Sequence, residues 1–150
     1  MNGERIRQSG ILKRPRIMAA FDSDSHEVAT SSETLSSFLS SPENLYEILP
    51  QDRIENWKVN GDQCSFKIKG LAEISLQLDS SSVNEVIYTS TSDKPFAFKL
   101  IIKAQGDGPS SLSATFDADV NSFMSMMLKT PLTNFLNSLG VALTKKYAGA

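Results

Sequence analysis

The stretch "SFMSMMLKTPLTNFLNSLGVALTKKY", Ser122 to Tyr147, sets Met124, Met126 and Met127 within four residues, ahead of a proline and a greasy helical pattern. Methionine is flexible and polarizable, so such a cluster suits a pocket wall that adapts to varied apolar shapes, or an irregular gap in a core. The residues able to do acid, base or nucleophilic work are sparse. His26 is the only histidine, and it stands among Asp22, Asp24 and Glu27 in a polar stretch. That setting predicts a surface histidine rather than a pocket acid or base. A metal site with the usual histidine ligands would want a second one. Cys64, the only cysteine, alternates with Phe66 and Ile68. This pattern predicts a buried, inert thiol, since a nucleophile needs a base beside it. Asp117 and Asp119 share one strand face, opposite in parity to Phe116. Paired carboxylates can do acid–base chemistry, but alternation sends these two outward, as it does Glu73. "GDGP", Gly106 to Pro109, is turn chemistry without the spacing or the following helix of a phosphate loop.

Those residues must be held by elements, and the elements can be read from hydrophobic period. "AFDSDSHEV" predicts a short, polar first strand with Phe21 and Val28 as its large apolar residues. "TSSETLSSFLSSPENLYEILP" predicts two short helices. Thr30 or Ser31 caps the first, with Glu33 placed to complete a capping box from Thr30, and Leu35, Phe38 and Leu39 share a face. Pro42 opens the second, Leu45, Ile48 and Leu49 give its buried face, and Pro50 stops it.

The period then changes to two. "RIENWKV", "CSFKIKG", "AEISLQL", "NEVIYTSTS", "PFAFKLIIKA" and "SLSATFDADV" each alternate, with turn signals at Asn60-Gly61-Asp62, Gly70 and "GDGP". Six consecutive strands with no helix between them predict an antiparallel meander, because parallel pairing needs long crossovers. Such a sheet has one apolar and one wet face. Lys67, Lys69, Lys99 and Lys103 fall on the wet one, together with Ile101. The last element carries an apolar stripe through Met124, Met127, Leu128, Pro131, Leu132, Phe135, Leu136, Leu139, Ala142, Leu143 and Tyr147. Pro131 should kink this helix or mark its start. As the only long helix, it is predicted to pack against the apolar face of the sheet.

The totals agree with one soluble-type domain. The chain has 150 residues, 40% hydrophobic and 21% charged, enough for one real core. No apolar run approaches the roughly 20 residues of a membrane span. With one cysteine there is no internal disulfide, and nothing points to an oxidising compartment. The expected location is the cytoplasm. Residues 1–18 hold five basic side chains (Arg5, Arg7, Lys13, Arg14, Arg16) against Glu4, a net of +4; the rest holds ten basic and sixteen acidic residues, a net of −6. An acidic body repels phosphate backbones, so no nucleic-acid binding is expected of the fold. The basic segment is read as a tail, a disordered extension or an overlong gene start with the true first residue at Met18. A role for it in holding an anionic partner stays open. The domain proper is placed at 19–147.

"FDSDSHEVATSSETLSSFLSSPENLYEILPQDRIENWKV", "CSFKIKGLAEISLQL" and "KPFAFKLIIKAQ" resemble the small single-domain START/Bet v 1-like proteins of the SRPBCC superfamily. "FMSMMLKTPLTNFLNSL" resembles the C-terminal helix of a Bacteroidetes-type subgroup, Met cluster and mid-helix proline included. The resemblance covers about Ala19 to Tyr147. It implies an α+β helix-grip fold: strand, two short helices, six-stranded antiparallel meander, long C-terminal helix. It also implies that a hydrophobic cavity often lies between sheet and helix. In such a cavity the lining is expected from Trp57, Phe66, Ile74, Tyr88, Phe98 and Phe116 of the sheet and Met124, Met127, Leu128 and Phe135 of the helix. The competing expectation is that these same residues simply fill a core.

The leading expectation is therefore a binding module, not an enzyme, that holds a small hydrophobic or amphipathic ligand, lipid-like or polyketide-like. It would use no cofactor and no metal, and it would not be integral to a membrane. The alternatives are a cyclase- or hydrolase-type enzyme on the same fold, or a protein-interaction module with a filled core. Nothing in the sequence sets an oligomeric state.

Overall fold

The computed structural model describes residues 17–93 and 96–148. The basic residues Arg5 to Arg16 lie outside the described residues, as do Lys94 and Pro95. Among the described residues, eight strands and three helices follow in chain order: β1 (Ile17–Asp22), β2 (His26–Val28), α1 (Ser32–Leu39), α2 (Pro42–Ile48), β3 (Ile54–Asn60), β4 (Gln63–Ile68), β5 (Ala72–Ser81), β6 (Glu85–Ser90), β7 (Phe98–Gln105), β8 (Ser110–Val120) and α3 (Ser122–Ala148). All strands are antiparallel in one sheet of order β1-β8-β7-β6-β5-β4-β3, with β2 also on β8. This is the helix-grip layout. The meander runs from β3 to β8 as the alternation predicts. The predicted first strand is divided, because the chain bends at Ser23 to Ser25 while both halves stay paired with β8.

Local chemistry explains the joints. Ser31 is the N-cap of α1 and accepts from the Thr34 N–H at 3.1 Å, so the cap is the second of the two residues offered by the sequence. Pro42 occupies the first turn of α2, where no helical donor is needed. Gly61 (φ 60°) turns β3 into β4, and Gly70 (φ 75°) turns β4 into β5. The loop after β7 anchors α1: the Ser32 N–H donates to the Gly106 carbonyl (2.9 Å), and the buried Ser110 hydroxyl donates to the Thr30 carbonyl (2.5 Å).

One inner-face run cannot alternate strictly. Ile54 and Trp57 lie three residues apart, so their parities differ, yet both face inward. An extra residue at Asn56–Trp57 resolves this, where the β3–β4 register shifts between Glu55 and Lys58. Asn56 takes φ 59° there, a left-handed conformation that asparagine tolerates better than most residues.

α3 is one helix of 27 residues that continues through Pro131. It neither begins nor ends at the proline. Asn121 caps it, accepting from the Met124 N–H at 2.8 Å. Its backbone lies nearest β8, β2, β1 and α2. The core is the single layer between it and the inner sheet face, closed at one end by α1 and α2. Leu132, Leu136, Leu139 and Leu143 are fully buried in it.

Candidate functional site

The ten residues expected to line a cavity fall into three groups. Phe66, Ile74, Tyr88, Phe98, Phe116, Leu128 and Phe135 are buried. Trp57 and Met124 are half-buried. Met127 is 58% exposed and does not face the sheet. The physical reason is helical phase. The inward line runs through Leu128, Leu132, Phe135, Leu139 and Leu143, whereas Met127 shares its side with Asn134, seven residues on.

The buried rings form two separate stacks. Phe98 and Phe116, diagonal neighbours across β7 and β8, stack at 4.7 Å, with Phe96 edge-on to Phe98 at 6.0 Å. The second stack is a file that crosses from the sheet to the helix. Tyr46 of α2 lies against Trp57 (5.2 Å), Trp57 against Phe66 (6.1 Å), and Phe66 against Phe135 of α3 (6.0 Å). The bulge at Asn56 is what turns Trp57 into this file. The file starts at the surface, where Tyr46 is exposed, and ends in the core.

Of the polar candidates, Tyr88 is committed to a structural partner and Cys64 is sealed in the core. The Tyr88 hydroxyl donates to the Leu39 carbonyl at 2.5 Å and ties the end of α1 to the sheet. Burial, reinforced by Cys64 and Asp62 nearby, holds its phenol well above the usual range. Burial likewise pushes the Cys64 thiol up to about 12, which leaves it protonated and inert at neutral pH. Asp117 and Asp119 sit on the outer parity of β8, as alternation requires, and Lys99 is the register partner of Asp117. Among the described residues no cluster of three or more His, Cys, Asp or Glu is placed to hold a metal.

His26 departs from the surface expectation. Its ring is half-buried against α3, where the Asn137 amide oxygen lies 3.1 Å from Nε2. The backbone N–H of Asp24 donates to the same oxygen at 2.8 Å. That second donor fixes which end of the amide is oxygen, so Nε2 of His26 must carry the hydrogen. The ring occupies the place where a side chain at residue 140 would begin: a Cβ on Gly140 would overlap its Cδ2. Asn137 and Gly140 were not among the expected site residues. A lone glycine inside an apolar helical run was the available signal, since such a glycine usually has a packing reason.

At the surface, a depression of about 470 Å³ lies between α2 and α3, over Ile48, Leu49, Val141 and Ala142. None of the ten expected lining residues borders it.

The fold is shared with solved structures at low identity. A START superfamily protein from Mycobacterium smegmatis is similar at TM-score 0.66 and 16% identity, covering 87% of this chain and 98% of that one. Norcoclaurine synthase from Thalictrum flavum, solved with dopamine and hydroxybenzaldehyde, is similar at TM-score 0.68 and 15% identity, covering 96% and 95%. The protein XoxI from Bacillus cereus is similar at TM-score 0.67 and 14% identity, covering 87% and 96%. No family model matches the chain, and no curated protein matches it. The fold is therefore that of START and Bet v 1-like proteins, as the sequence resemblance implied. Among the described residues no helix is long and apolar enough to cross a membrane.

Proposed function

We propose that the protein is a cytoplasmic, non-enzymatic binding module for a small, flat apolar or amphipathic ligand, taken up between the inner sheet face and α3. The observation that carries this reading is the asymmetry of the grip. Along β1, β2 and β8 the helix backbone lies close to the sheet. On the far side, at β3 and β4, sheet and helix meet through the rings of Trp57, Phe66 and Phe135. Rings stacked at 6.0–6.1 Å in a file that begins at the surface can rotate apart to admit another flat apolar group between them. The Tyr88 hydroxyl, hydrogen-bonded to the Leu39 carbonyl in the same core, is a polar group that could orient such a ligand. Norcoclaurine synthase, on the same fold, takes small aromatic molecules. The non-enzymatic part rests on His26 and Tyr88 being held apart, one on Asn137 and the other on Leu39.

Trp57 is the only tryptophan, so its emission reports on the file directly. The test is native mass spectrometry of freshly purified protein, followed by fluorescence titration with long-chain fatty acids and planar polycyclic phenols. An extracted apolar compound, or a saturable change in Trp57 emission that Phe66→Leu weakens, supports the reading. A clean apo mass together with no saturable change across both classes overturns it.

A further inference from the structure

The solvent face of α3 carries knobs at one end and a hole at the other. Phe123 (67% exposed) and Met127 (58%) stand out from the first turns. At steps of three to seven residues the same face continues through Thr130, Asn134 and Val141, all exposed, to Lys145. The hole is the depression of about 470 Å³ walled by Leu49 and Pro50 beside α3, and it runs along this face from Asn134 to Lys145. The face is also bare of charge up to Lys145. From Ser122 to Thr144 the only charged residue is Lys129, where the chain's 21% would give about five, and helical phase puts Lys129 on another side. A helix face that meets only water normally carries charges. Exposed large apolar side chains with charge removed around them are the composition of an interface core.

Knobs and hole are placed symmetrically. Met127 and Val141 each lie seven residues from Asn134, one on either side, and Phe123 and Lys145 each lie eleven away. A two-fold axis through Asn134, perpendicular to the helix, therefore sets an antiparallel second helix with Met127 over Val141 and Phe123 at Lys145, each contact made twice. That rotation keeps α2 on the same flank of both helices, and the flank with α2 is the one that holds the depression. Asn134 meets its own copy, where each amide can donate and accept; a single polar residue in such a seam fixes register. The Lys145 ammonium lies at the ring of Phe123, a cation–π arrangement. The strip is about 33 Å long and about 10 Å wide. With the walls of the depression it offers on the order of 500 Å² per copy, or about 1,000 Å² in all, the size of a specific but reversible interface. A small molecule in the hole would leave the knobs in water, and a lipid surface on the knobs would leave the hole empty.

We propose that a second copy of the chain docks along this face, antiparallel about Asn134, with Phe123 and Met127 of each copy entering the depression of the other. This inference stands apart from ligand binding and does not depend on it.

The test is sedimentation equilibrium of the full chain from about 1 μM to about 1 mM. The expected result is a monomer at the low end, where unfolding reads the single chain, and a dimer at the high end. Met127→Glu and Val141→Lys, both at exposed positions, should each weaken self-association at least tenfold, because each buries an unpaired charge twice. Mixed one to one, the two variants should associate again, since Glu at 127 of one then meets Lys at 141 of the other. Thermal melting at about 1 μM checks that each variant is folded. A monomer up to about 1 mM overturns the proposal, and if that monomer floats with phosphatidylglycerol vesicles the face serves a lipid surface. A dimer that neither variant weakens overturns it too, as does a mixture that stays monomeric.

Discussion

The two ends of α3 obey different rules. From Leu132 to Leu143 every inward position is buried, Asn137 bonds the β1–β2 bend, and Gly140 receives the His26 ring. Beyond that, Lys146 pairs with Glu47 of α2 at 2.6 Å and sits 4.6 Å from the Phe38 ring. From Phe123 to Met127 the same helix, with an equally greasy composition, leaves its large side chains in solvent. The difference teaches that hydrophobicity counts residues and does not aim them. The C-terminal half is surrounded by β2, α1 and α2, while the first turns extend past these elements. Pro131 lies between the halves. It removes the donor that would reach the Met127 carbonyl, a loss best tolerated where water can take the donor's place.

The sharpest way to break this comparison uses two phenylalanines twelve residues apart. Phe135→Ala empties a site between Phe66 and the core and should cost about 3–5 kcal/mol in urea unfolding. A loss below about 1 kcal/mol would mean that the buried half is not packed as described.

Alkaline pH probes the packed side next. The folded Cys64 thiol has its pKa raised to about 12, above an unfolded value of about 8.5. Its contribution is present in full below the unfolded pKa and is lost as pH rises toward 12, because the unfolded chain then sheds a proton that the folded chain keeps. The slope approaches about 1.4 kcal/mol per pH unit for one group. Tyr88 is raised too, and adds a second loss starting near pH 10. Unfolding midpoints at pH 8, 9 and 10 should fall more steeply in the native chain than in Cys64→Ala. Parallel profiles would count against a dry environment for Cys64.

Gly140→Ala gives a smaller effect whose sign can be reversed. The new methyl displaces the His26 ring, at a cost of about 1–3 kcal/mol, against a helix-propensity gain of about 1 kcal/mol. A net loss near 1 kcal/mol is expected in the native background. With His26→Ala already in place, the same change should stabilise by several tenths of a kcal/mol. If the sign does not change, the ring is not what excludes the methyl. Smallest of all, Phe123→Ser should shift stability by no more than about 0.5 kcal/mol. A loss approaching that of Phe135→Ala would erase the distinction between the two ends.

How far the sequence carried depends on whether local pattern or tertiary placement decided each point. The meander was legible because β7 and β8 alternate without a break, and the caps and turns because serine, proline and glycine act within a few residues of themselves. Trp57 was legible as an inward residue, while the irregularity that turns it inward was present only as a clash of parity with Ile54. Met127 was misplaced because a stripe with steps of three and four tolerates two phases, and only contact with the sheet selects one. His26 looked like a surface residue because its partners, Asn137 and Gly140, stand more than a hundred positions away. Tyr88 and Phe66 were correctly read as inward, but period alone does not tell a ring that packs against a ligand from one that packs against another ring.

The bulge at Asn56 has a consequence at the outer edge of the sheet. β3 is a border strand, with one side of its backbone unpaired by the sheet. A straight border of that kind is a template on which another molecule's strand can add, and repeated addition leads to fibrils. Here the left-handed turn at Asn56 interrupts the row of donors and acceptors, and the charged, exposed Glu55 and Lys58 stand on either side of the break. The residue that aims Trp57 inward also spoils the border as a template, so the guarding of this sheet edge and the placement of the tryptophan are set by the same backbone irregularity.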